Sequence, residues 1–240
     1  MAKVNFFDKR VIKKFLEITA VVSGTLSFVV IFVDVPAEWK LKAGLAFLAI
    51  LALTYLVIWL WSNNLNSIDI NVEGSDVAIK TGDIFQQPGL KAIAFNEYFD
   101  TQVDNKIISE TSLNGVLIQK HLGAPLSELD RHIEEYAFDD SDILEANEAR
   151  RLGKKRRYAI GTICLYKDFL LTAFSKFDEN NKAVLTMPEY LAFLINFWDK
   201  VNNVYAQQSV SVTIFGSGIT RIAGHKNIGD EDLLKIMLWT

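Results

Sequence analysis

The chain has 240 residues, 50% of them hydrophobic and 22% charged, and its formal net charge of −4 argues against a nucleic-acid binder that works through a broad basic footprint. Cys164 is the single cysteine, which excludes an intrachain disulfide and a cysteine-rich zinc site. The apolar excess lies mostly before Trp61, leaving roughly 180 residues of ordinary composition, enough for one cored domain.

Ile18 to Val33 is an unbroken run of apolar and small residues, extended backwards by Val11, Ile12, Phe15 and Leu16. Ala43 to Trp61 carries no charge and ends in Tyr55, Trp59 and Trp61, where an interfacial aromatic belt falls. These runs predict bilayer spans over 15–33 and 43–61. With only Asp34 to Lys42 between them they form an antiparallel hairpin, so both chain ends share one side. Lys3, Lys9, Arg10, Lys13 and Lys14 precede the first span and place that side in the cytosol. No small-x-small site follows Val33, which argues against a cleaved signal peptide; a buried hairpin of a soluble protein is the other alternative. Ser23, Gly24, Thr25 and Ser27, with Gly44 and Ala46, allow close helix packing within the hairpin or between copies. The expected domains are 1–62, holding the basic segment and the hairpin, and 66–240, a cytosolic ligand-binding domain.

From Ile68 the pattern turns to short β-rich runs. Ile68 to Val72, Val77 to Ile84 and Lys91 to Asn96 are predicted strands, Gly115 to Leu122 a helix, and Ser127 to Arg151 an acidic, helix-prone, solvated region. Tyr158 to Tyr166 and Phe169 to Phe174 are predicted strands joined at Lys167 and Asp168. Pro188 opens a helix over Glu189 to Asn202, Val210 to Phe215 is predicted as a buried central strand, and Asp230 to Trp239 as a last helix. This order gives an α/β sheet covered by helices, with phosphate-binding potential where strand ends meet helix starts.

Gly216-Ser217-Gly218-Ile219-Thr220-Arg221 follows a predicted strand, the context in which glycines let a backbone approach a phosphate. Ser217, Thr220 and Arg221 add polar contacts, an ordinary strand-to-helix turn is the alternative, and no Gly-Lys-Ser/Thr makes it a Walker loop. Ser112-Leu113-Asn114-Gly115-Val116 opens a helix whose start attracts anions, or is plainly capped by Ser112 or Asn114. Thr81-Gly82-Asp83-Ile84-Phe85 puts a carboxylate at a strand end. His121, His132 and His225 lack ligand spacing, so no metal is expected. Cys164 lies among apolar neighbours as an inert buried thiol, and Lys154-Lys155-Arg156-Arg157 is a solvated basic run or a contact for anionic headgroups.

In order, these pieces resemble a macro domain, the fold that binds ADP-ribose and related nucleotides. Thr81-Gly82-Asp83-Ile84 resembles the family's Gly-Asp-Ile motif, Lys91 to Asn96 its following strand with an asparagine, and Gly216 to Arg221 its second phosphate loop. The resemblance implies a mixed sheet flanked by helices, with Asp83 at the adenine and Asn96 near the distal ribose. It implies that Asn114, Gly115 and Val116 meet one phosphate and Gly216, Ser217, Gly218, Ile219, Thr220 and Arg221 the other, with Ile84 and Ser112 also among the ligand-binding residues. Where many macro domains have Ala-Ala-Asn and a glycine-rich loop, this chain has Asn96-Glu97-Tyr98-Phe99-Asp100-Thr101. With the hairpin ahead of it, that segment is similar to the membrane-anchored macro-domain effectors of Thoeris antiphage defence. By that resemblance the chain is a non-enzymatic sensor with no resident cofactor. Its ligand is an ADP-ribose derivative, such as a histidine conjugate, made by a TIR-domain partner. It forms homo-oligomers, contacts the lipid bilayer rather than nucleic acid, spans the inner membrane more than once, and damages that membrane to abort infection. The alternative is a membrane-tethered ADP-ribosyl or nucleotide hydrolase using Asn96 or Asp100 to position water. The family's closing strand after the last helix has no counterpart before Thr240.

Overall fold

The computed structural model describes residues 4–33, 36–178, 181–218, 220, 222–225 and 227–240. By internal contacts the chain divides into two compact units, Met1–Thr81 and Gly82–Thr240.

The first unit holds helices α1 (Lys9–Phe32) and α2 (Ala37–Asn64) and a two-stranded antiparallel hairpin of β1 (Ser67–Val72) and β2 (Ser75–Lys80). Both helices are long and apolar enough to cross a membrane. Asp8 caps α1 by accepting the Arg10 N–H, and Val11 is the one buried residue among the described residues of the two helices. An apolar helix surface left open along its length has no reason to exist in water, which makes this unit membrane-associated.

The second unit is a mixed sheet between two layers of helix. β3 (Leu90–Asn96) leads through α3 (Leu113–Val116), which continues as a π-turn over Leu117–His121, to α4 (Leu126–Glu135). A small pair, β4 (Ile143–Leu144) and β5 (Arg157–Tyr158), precedes the hairpin of β6 (Ile163–Tyr166) and β7 (Phe169–Phe177). β8 (Ala183–Thr186), α5 (Met187–Val204), β9 (Val210–Ser211), β10 (Ile222–Ala223) and α6 (Asp230–Trp239) complete the chain. The strands lie in the order β10-β8-β7-β3-β9, with β6 on β7. β3 is parallel to both β7 and β9, while β7 is antiparallel to β6 and β8.

The strands at the centre are buried on both faces, as their unbroken apolar sequences require. Alternation sends Leu90 and Ala92 of β3, with Leu170 and Phe174 of β7, into a core shared with Tyr190, Phe193 and Phe197 of α5 and Leu233 of α6. Ile93, Phe95, Leu171 and Ala173 face the other way, onto Leu117 and Leu122 at the two ends of the π-turn and Leu129 and Ile133 of α4. Thr186 and Glu189 form a capping box that starts α5, with Pro188 in its first turn.

Four predicted elements differ. The strand expected over Val77 to Ile84 stops at Lys80, because Asp83 accepts the Phe85 N–H and caps a short 3₁₀ turn over Ile84–Gln86. The run expected as one strand from Tyr158 to Tyr166 is two strands broken at Gly161, whose φ of +98° no β-strand accommodates. The acidic region from Ser127 to Arg151 is helical only through Glu135, and it is not all solvated: Asp142 and Arg150 are buried in ion pairs. Val210 to Phe215 is not a central strand. Only Val210 and Ser211 pair, at the sheet edge against Leu90 and Lys91, and the chain then turns Phe215 into the core as an anchor for α5.

Candidate functional site

The carboxyl ends of parallel strands are where α/β folds present ligand-binding loops, and here β3 fixes that end. Leu90 and Lys91 pair with Val210 and Ser211, after which the chain leaves the ladder and turns Phe215 into the core. The ring of Phe215 lies 5.4 Å from that of Phe174, which follows the β7 residue opposite Phe95, and the Tyr190 hydroxyl donates to the Phe215 carbonyl. The helical segment 113–121 ends with His121 stacked on Phe85 at 4.1 Å. Phe85 in turn edges Phe169, opposite Lys91 at the start of β3. These contacts fix the end of that segment beside the start of β3.

Each loop is built differently. Gly216 has a φ of +87°, a conformation an L side chain rarely adopts, while a Cβ there would meet nothing closer than 3.7 Å; the glycine is needed for its backbone, not for space. Ser217 is exposed, its hydroxyl donating back to the Ile214 carbonyl at 2.7 Å, and Thr220 is partly buried. Ile219 and Arg221, expected to contact a phosphate, lie outside the described residues. Gly115 is the opposite case: a Cβ would fall 2.2 Å from the Ser109 carbonyl oxygen, so only glycine lets the start of α3 seat on the preceding loop. The Gly115 N–H points to Ser112 Oγ at 3.3 Å and Asn114 Oδ1 at 3.1 Å, and the Val116 N–H donates to the Ser112 carbonyl. These groups satisfy one another, and an anion would have to exchange for them.

Asn96 closes β3 and is 3% exposed. Its Oδ1 accepts the Tyr98 N–H at 3.0 Å and its Nδ2 donates to Asp100 Oδ2 at 2.9 Å. Asp100 also receives Arg150 through both guanidinium nitrogens, at 3.1 and 2.7 Å, and the Lys154 N–H at 2.8 Å. Those four donors fill the roughly four acceptor positions of a carboxylate. Arg150 stacks 3.8 Å over the Tyr98 ring and donates to Asn181 Oδ1 and the Lys154 carbonyl. The expected water-positioning role of Asp100 in a hydrolase finds no free lone pair here; the residue is a clamp joining the β3 exit to the 147–155 segment. Next to it, burial pushes the Glu97 carboxyl above its ordinary range, against the opposing Phe177 N–H and Arg157.

The Asp83 carboxylate caps the turn that follows it, and Phe85 anchors that turn beside the start of β3. Ile84 is buried with Phe95 and Leu117. The basic run is tied down by acids, Lys154 to Asp130 at 2.6 Å, Lys155 to Glu148 at 2.8 Å and Arg157 to Glu97 at 3.9 Å, and Arg156 lies over Tyr158. Lys155 and Arg156 are exposed to solvent, and Lys154 and Arg157 are half-buried. Cys164 is fully buried, and desolvation pushes its thiol up to about 12. Sequence reasoning missed Arg150, which sits in an acidic stretch that composition reads as surface; the only signal was a lone Arg151-Arg150 pair at its end.

The sequence matches the family described as Thoeris protein ThsA, Macro domain, over residues 77–240. It is also 38% identical over 239 residues to the Thoeris protein ThsA of Bacillus amyloliquefaciens (strain Y2), covering 97% of this chain and 79% of that protein. A mixed sheet flanked by helices and two long apolar helices ahead of it agree with those matches: the chain belongs to the Thoeris ThsA macro-domain family of antiphage defence proteins.

Proposed function

We propose that this protein is a ligand-sensing effector whose macro domain binds an ADP-ribose-type nucleotide at a site formed by Asn96, the Ser112–Val116 turn and the Gly216–Arg221 loop. What supports this reading is the match to the macro-domain family over residues 77–240, together with a helix start capped by Ser112 and a turn at Gly216 whose backbone only glycine readily adopts. Asp83 and Ile84 take the base, and the signal comes from a TIR-domain protein, with a histidine conjugate of ADP-ribose as one candidate. Ligand binding promotes self-association, and α1 and α2 turn that into disruption of the inner membrane, with residues 66–240 in the cytosol and the boundary of the membrane segment at 62. The energetic requirement is that ligand bind the assembled state more tightly than the resting one. The four satisfied acceptors of Asp100 favour this sensor over a hydrolase.

Purified full-length protein in vesicles tests the reading. ADP-ribose or its histidine conjugate is expected to bind by calorimetry and to release an entrapped dye. Dye release independent of ligand rules out the switch, and absence of binding rules out the sensor. Arg221→Ala is expected to weaken binding at least tenfold if it meets a diphosphate.

A further inference from the structure

Ahead of α1, residues Val4 to Phe7 form a strap across the end of α2. The Val4 N–H donates to Asn63 Oδ1 at 3.0 Å, Trp59 Nε1 donates to the Val4 carbonyl at 3.2 Å, and the Tyr55 hydroxyl donates to the Phe6 carbonyl. The Phe6 ring meets Tyr55 at 5.1 Å and Trp59 at 5.4 Å, and Phe15 meets Tyr55 at 5.2 Å. These contacts fix the first turns of α1 beside the last turns of α2. Further along the helices such anchors thin out: a Cβ at Gly24 or Gly44 would touch nothing within 4 Å.

The strap determines what this end displays. Phe7 and Trp61 are 75% and 63% exposed, two aromatic rings at the level where the apolar spans stop. Beside them Lys9, Lys13 and Lys14 are exposed and make no ion pair among the described residues, whereas Arg10 pairs with Asp8 at 3.1 Å. Lys9 and Lys13 stand four apart and share a helix face. Exposed aromatics seat at the headgroup level of a bilayer, and unpaired cations there attract anionic lipid. We propose that the strapped end of the hairpin is a docking surface for anionic phospholipid headgroups, with Phe7 and Trp61 seated among them and Lys9, Lys13 and Lys14 meeting the lipid phosphates. The proposal rests on α1 and α2 lying in a bilayer, not on the nucleotide.

The test uses full-length protein carrying Trp39→Phe, Trp198→Phe and Trp239→Phe, so that Trp59 and Trp61 report on the strapped end. It is reconstituted in phosphatidylcholine vesicles containing phosphatidylglycerol, and Trp fluorescence is quenched by brominated forms of either lipid at equal mole fraction. Brominated phosphatidylglycerol is expected to quench more strongly, with each lysine contributing up to roughly fivefold to the lipid preference. Lys9→Gln, Lys13→Gln and Lys14→Gln together are expected to bring the two lipids to equal quenching without loss of vesicle association, and high salt to do the same in the parent. Equal quenching in the parent, or full preference retained in the triple variant, overturns the proposal. Absence of quenching by either lipid overturns the bilayer placement as well, which separates the two failures.

Discussion

Asp100 and Arg150 are 1% and 6% exposed at their side chains, so the cost of separating them is set by desolvation rather than by their mutual attraction. Asp100→Asn leaves the guanidinium buried with half its partner, and Arg150→Met leaves a carboxylate with two hydrogen bonds and no countercharge. Each is expected to cost about 3–5 kcal/mol in denaturant unfolding of the detergent-solubilised chain. The double variant is expected to cost less than their sum, because removing both charges leaves neither stranded; additive losses would show that the pair is not coupled. At Gly115 the argument is steric. Gly115→Ala places a methyl 2.2 Å from a backbone oxygen that cannot rotate away, so about 1–3 kcal/mol is expected, together with weaker nucleotide binding as the turn shifts. Gly123→Ala, where nothing lies within 4 Å, separates this from the strain of positive φ, which Gly123 has and Gly115 does not.

At the scale of elements, the start of α5 ties the helix to the sheet through one carboxylate. Glu189 accepts from Lys176 at 2.7 Å and from the Thr186 N–H and hydroxyl at 2.8 Å each. The Lys176 bond first, and then those from Thr186, hold the Glu189 carboxyl down to about 2 from its ordinary 4.5. A depressed carboxyl stabilises the fold above its unfolded-state value and loses that contribution as the pH falls. Acid titration is therefore expected to show a loss between pH 4.5 and about 2 that Glu189→Gln lacks; parallel curves for the two proteins would dismiss the role. The same scale explains what was legible in the sequence. β3, β7 and α5 were readable because an unbroken apolar run or a helical stripe with a proline start is a local signal. β9 is shorter than its composition implies: Val210 to Phe215 has the composition of a central strand, yet its partners, Leu90 and Lys91, lie 120 residues earlier and pair with only two of its residues. The turn at Gly216 and the Ser112 cap were legible for the same local reason. The clamp on Asp100 was not, since Arg150 is 50 residues distant and ringed by acids that signal solvent.

For the whole molecule, the division at Thr81 and Gly82 makes a prediction about autonomy. The β1–β2 hairpin pairs only with itself among the described strands, whereas both faces of β3 and β7 are covered by α3, α4, α5 and α6 from the second unit alone. Among the described residues, none before Ile84 belongs to either core. A fragment of residues 82–240 is therefore expected to fold by itself, to be soluble without detergent, and to unfold in a single transition. Removing both helices removes the exposed apolar surface that demands a bilayer. The fragment is further expected to bind the nucleotide with the affinity of the full chain and to release no dye from vesicles at any ligand concentration. Circular dichroism, calorimetry and the leakage assay check these in turn. A fragment that is unfolded would mean that residues 1–81 complete the fold, and one that folds and still permeabilises vesicles would remove α1 and α2 from the effector role.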